Sequence, residues 1–298
     1  MKARRYQLAL LVLAVALSLN GTLSAALAEP RGHLFIIGGG RQPTEMTKRF
    51  IELAGGANHA KIIVMPMASE DAASTGADQV AEFKSHGAAN VESVVLTRAE
   101  ATNPVCAARL DGATGVYFTG GDQSRLAAVL VNSPVHQKLK ELYARGAVIG
   151  GTSAGAAIMS QVMITGEELL NDDKTNVFKF IKKNNIETAT GFGFMTNAVI
   201  DQHFIKRKRL NRLFSVVLEH PQLVGIGIDE STAIIVNPDE TFEVLGESAV
   251  MVIDPRTAAN IRADQRGNLS ARDIKTHFLV AGDRFDLRIR GRTSQGGN

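Results

Sequence analysis

Short apolar runs alternate with helical stretches along the first two thirds of the chain. His33-Leu34-Phe35-Ile36-Ile37 is stopped by Gly38-Gly39-Gly40, and Lys61-Ile62-Ile63-Val64-Met65 by Pro66. Val91-Glu92-Ser93-Val94-Val95-Leu96, Gly115-Val116-Tyr117-Phe118-Thr119 and Ala147-Val148-Ile149-Gly150 continue the series. Between these runs the spacing predicts helices over roughly 43–54, 75–87, 100–110 and 122–144. The runs are almost unbroken in apolar character, as strands buried on both faces are. The alternation predicts an α/β fold, a doubly wound, mostly parallel sheet.

After about residue 220 the rhythm changes. Val224-Gly225-Ile226-Gly227-Ile228, Ala233-Ile234-Ile235-Val236, Thr241-Phe242-Glu243-Val244 and Ala249-Val250-Met251-Val252 follow closely. Asn237-Pro238-Asp239 and Leu245-Gly246-Glu247 are turn-like breaks between them. Antiparallel hairpins added to the same domain are expected. No linker, repeat or low-complexity tract divides residues 29–298, so a single domain is expected, with a loose end from Thr293 to Asn298.

The first 28 residues stand apart. Lys2, Arg4 and Arg5 precede an apolar run, and Ala26-Leu27-Ala28 offers a small-residue cleavage site. That is the layout of a secretory signal peptide over 1–28. The apolar run is short for a bilayer span. Its removal takes three basic side chains and leaves basic and acidic residues equal, so the net charge of +3 carries little meaning for the mature chain. Binding of nucleic acid or of an anionic membrane is not expected. A single cysteine, Cys106, excludes an intramolecular disulfide, and no Cys/His cluster points to zinc. The chain is long enough to rely on its core alone.

The most informative segment is Gly150-Gly151-Thr152-Ser153-Ala154-Gly155-Ala156, read as strand, tight turn and helix. Gly151-Thr152-Ser153-Ala154-Gly155 fits G-x-S-x-G. A nucleophile on so sharp a turn needs small neighbours, and the N–H of Ala154 can help to stabilise an oxyanion. A serine needs a base, and the base needs an acid to orient it. Of seven histidines, His203 follows the apolar run Ala198-Val199-Ile200, where residues just past a strand end line a ligand crevice. Asp229 and Glu230 end another such run. They are adjacent on an extended segment, so one of the two can face the imidazole. The order Ser, His, acid differs from that of the α/β-hydrolases. Phe118-Thr119-Gly120-Gly121-Asp122-Gln123 is a second glycine turn, able either to supply oxyanion donors or simply to turn the chain with Asp122 as a cap. Lys206, Arg207, Lys208, Arg209 and Arg212 follow the histidine. Leu210, Leu213, Phe214, Val217 and Leu218 form an apolar helical stripe, with Arg209 and Arg212 expected on the opposite side. The pattern alone reads as a solvated helix face, and the position immediately after His203 adds a clamp for substrate carboxylates as the alternative.

Together these motifs resemble the cyanophycinases, serine peptidases related to the aspartyl dipeptidases. The resemblance also includes Phe35-Ile36-Ile37-Gly38-Gly39-Gly40, Gly225-Ile226-Gly227-Ile228-Asp229-Glu230 and Gly282-Asp283-Arg284-Phe285-Asp286-Leu287. It implies a class I glutamine amidotransferase-like fold and hydrolysis of cyanophycin, a poly-aspartate backbone carrying arginine on each side chain, to β-Asp-Arg dipeptides. It implies a triad of Ser153, His203 and Glu230; the two glycine turns put Gly121, Asp122 and Ala154 forward as the oxyanion donors. It further implies substrate contacts by Gln123, Asp201, Gln202, Arg207, Arg209 and Arg212, no metal or other cofactor, and a homodimer. The signal peptide adds export to the periplasm or the medium. Two alternatives are an exported aspartyl dipeptidase acting on short peptides and a non-catalytic periplasmic binding protein. The segment 166–190 fits the resemblance less well.

Overall fold

A computed structural model describes residues 32–170, 178–289 and 291–292. The signal-peptide reading, Asn171-Asp172-Asp173-Lys174 and the C-terminal end from Thr293 lie outside these residues. The strands are β1 (Leu34–Ile37), β2 (Lys61–Met65), β3 (Asn90–Ser93), β4 (Gly115–Phe118), β5 (Val148–Thr152), β6 (Val162–Glu168), β7 (Ile186–Thr190), β8 (Ala198–Gln202) and β9 (Val224–Ile228). They continue with β10 (Thr232–Val236), β11 (Thr241–Gly246), β12 (Ala249–Asp254), β13 (Ala259–Ala263), β14 (Leu269–Arg272), β15 (Lys275–Val280), β16 (Arg284–Asp286) and β17 (Gly291–Arg292). The helices are α1 (Thr44–Leu53), α2 (Ala72–Ser85), α3 (Arg98–Ala101), α4 (Pro104–Ala107), α5 (Gln123–Leu130), α6 (Pro134–Ala144), α7 (Ala154–Ala157) and α8 (Leu210–Glu219).

The main sheet runs β17-β16-β11-β10-β1-β5-β4-β2-β3. Its half from β1 to β3 is parallel, and the half from β1 outward through β10 is antiparallel. Side chains of β1, β2, β4 and β5 alternate between two buried layers, which is why these strands are apolar throughout. Phe35, Ile37, Ile62, Val64 and Tyr117 meet Met46 and Phe50 of α1 and Phe83 of α2. On the other face Ile36, Ile63, Met65 and Phe118 share a core with Leu126 and Leu130 of α5 and Leu139 and Leu142 of α6. The α/β expectation is met, including its parallel core.

The hairpin expectation is met in part. β10 and β11 do form a hairpin at the edge of the parallel half. β9 and β12 instead pair with each other in a second sheet, ordered β15-β12-β9-β8. Ile226, Ile228, Val250 and Val252 face the main core, while Val199, Met251 and Ile253 face α8. The chain therefore alternates between two sheets where sequence proximity suggested one meander. The helix expected over 122–144 is two helices. Pro134 cannot continue the first and instead starts the second, whose N-cap Ser133 accepts from His136 N–H. The 166–190 segment contributes to a separate two-stranded sheet, β6 with β7.

Arg212 departs from its expected place. It lies on the inner side of α8 and is fully buried. Its Nε donates to Asp201 Oδ2 at 2.8 Å, its Nη2 donates to Oδ1, and its guanidinium lies over the ring of Phe178. Asp201 is equally buried, on β8. The forked pairing ties α8 to β8 beneath the turn that carries His203 and removes both groups from solvent. Breaking a buried pair by deleting one partner leaves an uncompensated charge. Arg212→Leu is therefore expected to lower unfolding free energy by about 3–5 kcal/mol in chemical denaturation. Arg212→Lys is also expected to destabilise, because a point charge cannot reproduce the fork. Wild-type stability in both variants would show that the pair is not a fastener.

Candidate active site

The sequence after β5 has to turn sharply at Ser153, which sits in the left-handed region at φ 54. A non-glycine residue there is strained and persists only where its surroundings impose it. Gly155 explains how the turn fits. A Cβ on it would lie 2.3 Å from the carbonyl oxygen of Phe118, so the start of α7 can approach β4 only with glycine at that position. Helix α7 is a single turn. The oxyanion donor expected here is consequently one backbone N–H, that of Ala154, rather than the field of a long helix.

The strand end that carries His203 belongs to the second sheet, not to the sheet that carries Ser153. The two are brought together by β1. The carbonyl of Ile37 accepts Ser153 N–H at 3.0 Å, that of Gly38 accepts His203 N–H at 2.7 Å, and that of Gly39 accepts Ser231 N–H at 2.8 Å. His203 and Ser231 also have positive φ, at 50 and 52. The result is a chain of side chains. Ser153 Oγ lies 2.9 Å from His203 Nε2, and His203 Nδ1 lies 2.7 Å from Glu230 Oε1.

Sequence reasoning treated Gly38-Gly39-Gly40 only as a strand stop within a motif. In the structure it is the bed of the His–Glu pair. A Cβ on Gly39 would lie 2.3 Å from the imidazole Cε1, and one on Gly40 would lie 2.8 Å from Glu230 Cβ. Three glycines directly after a buried strand were the available signal. Of the two candidate acids, Glu230 meets the imidazole. Asp229 turns the other way, as alternation requires, but into the protein: it accepts the N–H groups of Ile205 and Lys206.

Burial is the largest influence on His203 and lowers its pKa below the ordinary 6.5. The bond to Glu230 opposes this, while the charges of Arg207 and Arg209 add to it. The imidazole is thus neutral near neutral pH, the form able to take a proton from Ser153. Burial, with Arg212 beside it, also pulls Arg209 down to about 10, still protonated at neutral pH.

The remaining expected site residues divide. Ala154 follows Ser153 directly and Gly121 follows Gly120, and among the described residues neither the Ala154 nor the Gly121 N–H has a backbone acceptor. A Cβ on Gly120 would come 3.4 Å from Ser153 Cβ, so this second glycine turn does border the serine. Asp122 is a correction. Its N–H is already bonded to Ala68 O at 2.9 Å, and its carboxylate caps α5 through Ser124 N–H. It cannot also serve an oxyanion. Gln123 is buried, and its amide donates to the carbonyls of Ile164 and Thr165, so it joins α5 to β6. Asp201 and Arg212 are bound in their mutual pair, with Arg209 Nη1 3.8 Å from Asp201 Oδ1 and Arg212 Nη1 without a hydrogen-bond partner among the described residues. Arg209 precedes α8 instead of lying on its far side, and its Nη1 donates to Gln202 O at 2.7 Å. Gln202 is buried, with its Oε1 unpaired among the described residues. Arg207 is exposed.

A neutral imidazole held between a hydroxyl and a carboxylate can generate an alkoxide nucleophile for acyl transfer. Residues 34–244 match the model of peptidase family S51. The chain is 34% identical over 262 residues to a cyanophycinase of Trichormus variabilis, covering 85% of each chain. It is 33% identical over 266 residues to a cyanophycinase of Synechococcus elongatus, covering 87% of this chain and 80% of the other. A peptidase from an acI-B1 actinobacterium shares the fold, with a TM-score of 0.59 at 24% identity over 87% of this chain and 98% of its own.

The charge arrangement sets an expected pH response. The acidic limb of kcat/KM reports protonation of the free-enzyme base, so its midpoint is expected below 6.5. Arg207→Gln removes a positive charge that disfavours imidazolium, so the midpoint should move to higher pH. A limb at or above the ordinary histidine value in wild type, or a shift to lower pH in the variant, would contradict this account of His203.

Proposed function

The chain belongs to peptidase family S51 and is a serine peptidase, and from that premise we propose that it degrades cyanophycin to β-Asp-Arg dipeptides through an acyl-enzyme. The observation that carries this reading is the continuous contact from Ser153 through His203 to Glu230. The cyanophycinase names of relatives sharing a third of their sequence over most of the chain supply the substrate class.

In this reading His203 Nε2 takes the proton of Ser153 as Oγ attacks a backbone carbonyl carbon of the poly-aspartate chain. The N–H groups of Ala154 and Gly121 receive the developing oxyanion. The imidazolium, steadied by Glu230, then gives its proton to the departing amine, leaving the acyl group on Ser153. Water, deprotonated by the same nitrogen, attacks the ester and restores the hydroxyl. The exposed Arg207 and the partly buried Arg209 face the carboxylates that every Asp-Arg unit carries. Export of the chain through residues 1–28, and a homodimeric state, complete the proposal.

Two measurements test it. Glu230→Gln keeps the shape of the acid but favours the wrong imidazole tautomer, and is expected to cost on the order of 10³–10⁴ in turnover. Asp229→Asn, whose side chain is engaged elsewhere, is expected to cost far less. The reverse ranking would exchange the roles of the two acids. Separately, purified protein is expected to release β-Asp-Arg from cyanophycin while leaving casein nearly intact, with Ser153→Ala inert on both. Equal cleavage of casein, or turnover restricted to short aspartyl peptides, would replace the polymer reading with a general peptidase or a dipeptidase.

A further inference from the structure

Asp229 is a buried acid beside the site that the peptidase chemistry does not use. It is 7% exposed. Its Oδ1 accepts the N–H of Ile205 at 3.1 Å and of Lys206 at 2.9 Å, and its Oδ2 accepts the hydroxyl of Ser248 at 2.8 Å. Those two amides lie at the centre of the turn that follows His203. On either side of them the turn closes through its own backbone: Arg207 N–H donates to His203 O and Arg209 N–H donates to Phe204 O, both at 2.9 Å. Among the described residues the N–H groups of Ile205 and Lys206 have no backbone acceptor. A buried carboxylate is thus the side-chain anchor for the middle of a turn that carries the base at one end and Arg207 near the other. Bonds from amides to an ionised acceptor are stronger than neutral ones, and an unmet amide in this position is costly.

We infer that Asp229 is a positioning residue for substrate binding: by fixing the amides of Ile205 and Lys206, it sets where the Arg207 guanidinium meets a substrate carboxylate. Glu230, its neighbour in sequence, serves the imidazole. Adjacent acids in the turn after β9 therefore divide the labour, one toward the chemistry and one toward the clamp. The inference rests on the reading of Arg207 as a carboxylate clamp under the proposed function.

The experiment uses the full mature protein with Asp229→Ala and Asp229→Asn, each alone and combined with Arg207→Gln. Asparagine retains an oxygen for both amides and can direct its NH₂ to the Ser248 oxygen. Asp229→Ala is expected to raise KM for short β-Asp-Arg oligomers about tenfold, with kcat within about threefold, and Asp229→Asn to restore KM to within about threefold of wild type. In the Arg207→Gln background Asp229→Ala should add nothing further to KM. If the alanine variant does not fold, Asp229→Ser, which is too short to span to the amides, carries the same comparison. An unchanged KM, a loss confined to kcat, or additive effects of the two substitutions would overturn the inference. Amide hydrogen exchange gives a readout without substrate: protection at Ile205 and Lys206 should fall in Asp229→Ala and return in Asp229→Asn. Absence of turnover in wild type would sink the cyanophycin reading, and exchange alone would then judge Asp229, with unchanged protection counting against it.

Discussion

Three consecutive carbonyls at the end of β1 hold the site together. Ile37, Gly38 and Gly39 each accept one N–H, from Ser153, His203 and Ser231 in turn. The nucleophile belongs to the main sheet, the base to the second sheet, and the acid to the crossover between them. Nothing in either sheet alone would bring their side chains within hydrogen-bond distance. The carbonyl series does so, and it leaves room for the imidazole only because Gly39 has no side chain. All three anchored residues have positive φ, so each interaction also sustains a backbone conformation that an isolated peptide would abandon.

The buried polar groups nearby act as fasteners to this arrangement. Asp201 and Arg212 join α8 to β8, Gln123 joins α5 to β6, and Asp122 caps α5 while its N–H holds Ala68. Asp201 and Arg212 lie within ten positions of His203, and Asp122 and Gln123 lie on the glycine turn that borders Ser153 in space. Sequence order alone does not show that they carry these structural bonds.

Much of this was legible in the sequence, for physical reasons. Strands buried on both faces must be apolar throughout, so β1, β2, β4 and β5 stood out. A G-x-S-x-G turn must be built from small residues, so Ser153 did too. His203 and the acidic pair Asp229-Glu230 followed because polar residues ending apolar runs mark strand ends. What could not be read was which strands share a sheet. β9 and β10 are equally apolar and adjacent in the chain, yet they pair with different partners, because pairing is decided by long-range packing. The burial of Arg212 was hidden for a related reason. Helical periodicity assigns a charged residue to the outer face, and only the presence of Asp201 on the facing strand reverses that. The role of Gly39 was similarly out of reach, since a missing side chain reveals its purpose only through the ring that occupies its place.

The spread of the site along the chain has a consequence for how the protein matures. Ser231 Oγ donates to Arg41 O across 190 positions of sequence, and the carbonyl series joins the end of the first strand to Ser153, His203 and Ser231. Contacts of such separation form only once the entropy of closing the intervening chain has been overcome. A growing or half-folded chain therefore contains the serine without its base and the base without its acid. Hydrolytic capacity arrives together with the completed fold, so a chain that still exposes unprotected backbone cannot be cut by its own kind of intermediate.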